Sequence, residues 1–232
     1  MAKKRKVAIF DIDGTIFRSS LLIELVETLI DMGIFDKKLR SKYLEEKELW
    51  QDRRGRYDDY IYKVVDVYVE NIKGVEYGDF DRAVKVVVQR NKNRIYRFTR
   101  DLIKDLKRKK FFLLAISQSP RGIIDPFCKN LGFDKVYGRF YELGPTNRFT
   151  GKIVDEHIIA NKANIVRRAV EKENLTLAGS YGVGDTEDDY SFLEMVENPI
   201  CFNPNTKLLK HARRNKWKVV IERKDAIYEI KI

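Results

Sequence analysis

The stretch AIFDIDGTIF, residues 8–17, sets two aspartates one residue apart at the end of an apolar run. Asp11 and Asp13 flank Ile12, and Gly14 and Thr15 follow at once. The run before them, KVAIF, reads as a short buried strand. An unpaired carboxylate is costly to bury, so the two acids call for a cation, a hydrogen-bonding partner or a chemical task.

Outward from this point the chain changes rhythm twice. From Ser20 to about Leu106 the apolar residues recur at helical spacing, with Ile61, Val64, Val65, Tyr68, Val69 and Ile72 as one stripe. Beyond it, FFLLAIS (111–117) reads as a buried strand and IIDPFCKNLGF as a helix. RFYELGPTNRFTGKIV has the period and turn residues of a β-hairpin. NKANIVRRAVEKENL is a helix, GSYGVGD a strand and DYSFLEMV a helix; PICFN, a basic helix and the strand KVVIE complete the pattern. Strands alternating with helices predict a Rossmann-like α/β core, a parallel sheet with helices on both faces. The helical block interrupts that rhythm just after the first strand. The expected domains are a core of residues 1–17 and 93–232 and an inserted α-helical module of residues 18–92.

Composition narrows the setting. Of 232 residues, 44% are hydrophobic and 35% charged, which suits an ordinary globular chain. No apolar run reaches bilayer length and no signal-peptide pattern is visible, so no membrane partner and a cytoplasmic location are expected. The only cysteines, Cys128 and Cys201, are too few for a disulfide framework or a zinc site. The net charge is +11, but residues 18–95 carry 16 Lys/Arg against 15 Asp/Glu, so the excess lies elsewhere. It gathers at Arg90–Lys110 and in KLLKHARRNKWK, Lys207–Lys218. The charge admits nucleic acid as a partner, although neither cluster carries interleaved aromatics or a binding motif.

Ligands of open parallel sheets bind at the carboxyl ends of the strands. Those ends hold Asp11 and Asp13, Ser117, and Asp185, with Asp188 and Asp189 in the following turn; Lys162 lies near the start of the preceding helix. Carboxylates gathered on one rim repel, which calls for a hard divalent cation. Magnesium takes oxygen ligands and usually keeps water and a substrate phosphate. A lysine, a hydroxyl and backbone N–H groups beside it suit a phosphoryl group, and the chemistry expected is phosphoryl transfer.

DIDGT, Ser117 in AISQSP, Lys162 and GDTEDD resemble, in order and spacing, the motifs of the haloacid dehalogenase superfamily. RFTGKI and CFNPNTKLLKHARRNKW resemble its phosphoserine-phosphatase-like branch. The resemblance implies that Asp11 is a nucleophile forming an aspartyl phosphate and that Asp13 is the general acid and base. It implies magnesium held by Asp11, the Asp13 carbonyl, Asp185 and Asp189. It implies phosphate contacts from Ser117, Lys162 and Gly14, and an inserted helical module that closes over the site as a cap. The chain departs from the branch at Ser20, where phosphoserine phosphatases carry an acidic residue that reads the substrate amine; Glu24 lies one turn further on. The expected function is magnesium-dependent hydrolysis of a small phosphorylated metabolite. The alternatives are transfer to another acceptor, dephosphorylation of nucleic-acid ends, and nucleic-acid binding around a vestigial site. Oligomeric state is left open.

Overall fold

The computed structural model describes residues 4–154 and 161–230. The chain forms two compact units, one of Met1–Ser19, Lys92–Arg139 and Asp155–Ile232, the other of Ser20–Asn91 and Phe140–Val154.

The first unit is built on a sheet. β1 (Arg5–Phe10), β2 (Phe112–Pro120), the first half of β3 (Lys135–Leu143), β5 (Leu175–Gly184), β6 (Asn198–Phe202) and β7 (Lys218–Arg223) run parallel in the order β3-β2-β1-β5-β6-β7. β1 lies at the centre, with Ile9 beside Leu114 of β2 and Gly182 of β5. Val7 to Phe10 are all fully buried, which is why this strand reads as a continuous apolar run rather than an alternating one. Val7 and Ile9 face one core, shared with Leu114 and Ile116 and with Ile165, Val166 and Ala169 of α7 (Lys162–Lys172) and Leu208 and Ala212 of α9 (Thr206–Asn215). Phe10 points to the other face, where it meets Phe133 edge-on. α5 (Arg97–Arg108) and α6 (Arg121–Leu131) pack on β2.

A further strand, β8 (Ala226–Ile230), pairs antiparallel with β7 after a two-residue turn at Lys224–Asp225. The sequence concealed it, because its residues are mostly exposed and the turn, with Lys224 at φ 54°, has no glycine.

The second unit holds α1 (Leu21–Asp31), a 3₁₀ turn at Lys37–Arg40, α2 (Ser41–Gln51), α3 (Tyr57–Asn71) and α4 (Tyr77–Asn91). The far half of β3 and β4 (Phe149–Val154) belong to the same unit as an antiparallel hairpin. Phe149 packs edge-on against Phe80 of α4, which explains why the hairpin joins the helices. The stripe read along α3 is rotated: Tyr60, Val64, Val67 and Tyr68 are buried, whereas Val69 is 36% exposed. Tyr43 against Tyr60 and Tyr68 against Phe35 and Tyr141 set that rotation, since aromatic contacts outweigh aliphatic periodicity. Ser20 caps α1, its Oγ accepting from the Leu22 N–H. No helix among the described residues is long and apolar enough to cross a membrane.

Candidate active site

Adjacent strands bring the acids together. The Asp11 N–H donates to the Val183 carbonyl at 2.9 Å, so the ladder between β1 and β5 continues one residue past β1. β5 ends at Gly184, and Asp185 therefore emerges beside Asp11. A short 3₁₀ turn, Glu187–Asp189, then carries Asp189 back beneath the strand end, fully buried, while Asp188 stays exposed. Asp11, Asp185 and Asp189 offer ligand oxygens that all lie within 4.8 Å of one another.

Lys162 is the positive member of this group. Asn161 caps α7 by accepting from the Ala163 N–H at 2.9 Å, which fixes Lys162 as the first helical residue. Its Nζ donates to Asp11 Oδ1 at 2.7 Å and to Asp189 Oδ1 at 2.6 Å, with the side chain only 4% exposed. Burial opposes the ammonium, but Asp11 and Asp189 outweigh it and hold its pKa above the ordinary lysine value. The other Asp189 oxygen accepts from the N–H groups of Asp185 (2.9 Å) and Thr186 (3.2 Å). Asp189 thus anchors both the lysine and the loop that carries Asp185.

Burial pushes the Asp11 carboxyl up to about 8, with Asp189 and Asp13 adding to the rise against Lys162. Burial, followed by Asp11 and Asp189, also raises Asp185 well above the carboxylate range. Three ionised carboxylates and one ammonium leave two negative charges, and all the donors are hard oxygens. That set fits a divalent cation of the magnesium type, whose charge would relieve both the desolvation and the repulsion.

Asp13 faces other partners. Its Oδ2 accepts from Ser117 Oγ at 3.0 Å and from Ser119 Oγ at 2.7 Å. Ser117 and Ser119 alternate along β2 and so point the same way. Ser117 Oγ also accepts from the Ser119 N–H at 3.0 Å, which locks the two hydroxyls into one arrangement. The Asp13 carboxyl is not one of the three that gather as Asp11, Asp185 and Asp189, although its charge still reaches Asp11. Ser119 was missed in the sequence reading, although its two-residue spacing from Ser117 was visible in AISQSP.

Three further residues shape the group of acids. Thr15, fully buried, donates from Oγ1 to Asp185 Oδ1 at 3.1 Å. Gly14 has φ +82°, and a Cβ there would fall on Asp185 Oδ2. Its N–H donates to the carbonyls of Phe17 (3.0 Å) and Ser19 (3.1 Å), so its donor is used within the loop and its place rests on the room it leaves. Gly184 has the same need: a Cβ would meet the Asp189 carboxylate.

Residues 8–194 match the family model described as haloacid dehalogenase-like hydrolase. The chain belongs to this family. Two of its relatives are named as phosphatases. A histidinol-phosphatase of Neisseria meningitidis is 30% identical over 112 residues, covering 46% of this chain and 50% of that protein. A phosphoserine phosphatase of Archaeoglobus fulgidus is 22% identical over 204 residues, covering 87% of this chain and 53% of that protein. The chain thus spans about half the length of each. A solved structure described as a phospho-aspartyl intermediate analogue of phosphoserine phosphatase shares the fold, with TM-score 0.62, 19% identity and 96% coverage of both chains.

Proposed function

We propose that this hydrolase cleaves a small phosphomonoester in two steps through an aspartyl phosphate on Asp11, with magnesium as cofactor. The observation that supports this most is the separation of two differently held carboxyls one residue apart. Asp11 is gripped by a buried ammonium within a group of acids, and Asp13 by two hydroxyls outside it.

In the first step an Asp11 carboxylate oxygen attacks phosphorus, and Asp13 gives a proton to the departing oxygen. In the second, Asp13 takes a proton from water, and the resulting hydroxide displaces the Asp11 carboxylate from phosphorus. Ser117 and Ser119 hold the Asp13 carboxyl in one orientation through both steps. Lys162, kept charged by its two acids, offers a cation where negative charge builds on the phosphoryl oxygens. Asp11 and Asp185 would hold the metal, with Asp189 keeping Asp185 and Lys162 in place; when bound, magnesium supplies charge neutralisation for the acids and the phosphate.

The chemistry is assigned to the first unit, and the choice of leaving group to the helical insertion that follows Asp13 in the sequence. Ser20 supports a substrate other than phosphoserine, since its hydroxyl caps α1 and carries no charge for an amine. Asp11→Asn keeps the shape and removes the attacking charge. Its activity toward p-nitrophenyl phosphate should fall by at least about 10³-fold, and near-normal turnover would refute the reading.

A further inference from the structure

The two basic clusters of the sequence have different fates in the fold. In the first, Arg100 pairs with Asp101, and Arg108 and Lys109 both pair with Asp105. Arg94 lies over the ring of Phe17. In the second, Lys207–Lys218 contains no acidic residue. Its ends are paired, Lys207 with Glu187 and Lys218 with Glu229, and His211 Nε2 lies 3.2 Å from Glu194 Oε1. Lys210, Arg213, Arg214 and Lys216 between them are exposed and, among the described residues, have no ion-pair partner.

Three of these cations share one face. α9 buries Leu208 and Ala212 against the sheet, one turn apart on a single face. Lys210, Arg213 and Arg214, at helical spacing, occupy the opposite face, and Lys216 follows as the C-cap residue, with φ 54°. Like charges three and four residues apart destabilise a helix unless something neutralises them. The helix dipole compensates cations in the last turn, but Lys210 lies before it. From Lys210 to Lys216 the chain advances about 9 Å at 1.5 Å per residue, over which a nucleic-acid duplex presents about five phosphates with both strands counted.

We infer that the exposed face of α9 binds the phosphate backbone of nucleic acid, independently of the proposed phosphatase site. An anionic membrane fits less well. A surface-lying helix needs exposed apolar side chains to insert, and none of the exposed large hydrophobic residues lies on α9. Exposed aromatics for base stacking are also absent from α9, so contact is with backbone phosphates and carries no sequence preference.

The test is fluorescence anisotropy of the full chain with a labelled duplex of arbitrary sequence ending in hydroxyls, which denies the phosphatase site a terminal phosphate. With about four phosphates neutralised, affinity should fall roughly a hundredfold between 50 and 200 mM salt. Lys210→Ala/Arg214→Ala should lower the slope of log affinity against log salt by about 1.8. That variant should melt no lower than the unaltered chain, since a repulsion on α9 is removed, and should keep its turnover of p-nitrophenyl phosphate. Arg100→Ala/Arg108→Ala, which removes two cations already paired with Asp101 and Asp105, should bind like the unaltered chain. Absence of binding at 50 mM salt, or an α9 variant that binds undiminished, would overturn the inference. So would binding to phosphatidylserine vesicles in place of the duplex.

Discussion

Ser119 Oγ stands 2.7 Å from Asp13 Oδ2, closer than the Ser117 hydroxyl that shares the same oxygen. A hydrogen bond to a charged group is worth about 1.5–3 kcal/mol, and this one restrains the residue proposed to move protons. Ser119→Ala should therefore reduce kcat by roughly tenfold to a hundredfold, at little change in KM. Ser119→Thr, which keeps the hydroxyl, should recover much of the loss. A variant that raises KM while kcat holds would place Ser119 in substrate binding instead.

Lys162 can be tested by stability as well as turnover. Removing one partner of a buried ion pair leaves uncompensated charge and costs about 3–5 kcal/mol. Lys162→Met should lower the melting temperature in metal-free buffer, because Asp11 and Asp189 lose their shared counter-ion. A magnesium ion that binds the folded site stabilises it by mass action. The magnesium-induced rise in melting temperature should be larger in the variant than in the unaltered chain. Melting temperatures indifferent to magnesium in both proteins would remove the ion from this site.

Gly14 and Gly33 form a matched pair of controls. Both have positive φ, +82° and +70°, but a Cβ at Gly33 would meet nothing within 4 Å, whereas one at Gly14 would strike Asp185. Gly33→Ala should cost only the left-handed backbone penalty, about 1–2 kcal/mol. Gly14→Ala adds displacement of Asp185, so it should destabilise more and also raise the magnesium concentration needed for half-maximal activity. Calorimetry and a magnesium titration separate the two effects. Equal behaviour of the two variants would show that Asp185 tolerates the methyl group.

What the sequence made legible follows from how local each signal is. Asp11 and Asp185 are visible because each follows the apolar run of a strand, Ser117 because the apolar run of β2 stops on it, and Lys162 because it lies at a helix start. Ser119 escaped because β2 runs on to Pro120, past the point where the apolar run suggested an end. The contact of Thr15 with Asp185 joins residues far apart in the chain and has no local periodicity. The hairpin of Phe140–Val154 read correctly as a hairpin, but its membership of the helical unit depends on Phe149 meeting Phe80, which spacing does not reveal. The rotation of the α3 stripe has the same origin, since Tyr43 and Tyr141 lie on other elements.

Asp13→Asn separates the two half-reactions. The substituted amide keeps an oxygen that can accept from Ser117 and Ser119, so the side chain should retain its place. It can no longer take a proton from water. With p-nitrophenyl phosphate the leaving phenolate is already stable, and forming the aspartyl phosphate needs little acid assistance. Breaking that intermediate still needs an activated water. The second step should slow more than the first, and phosphoenzyme should accumulate. Rapid mixing should show a burst of nitrophenol of about one equivalent per site, followed by slow turnover. Acid-quenched protein should carry an acyl phosphate that hydroxylamine removes, and Asp11→Asn/Asp13→Asn should carry none. A single Asp13→Asn variant that is slow from its first turnover and holds no phosphate would take the proton-transfer role away from Asp13.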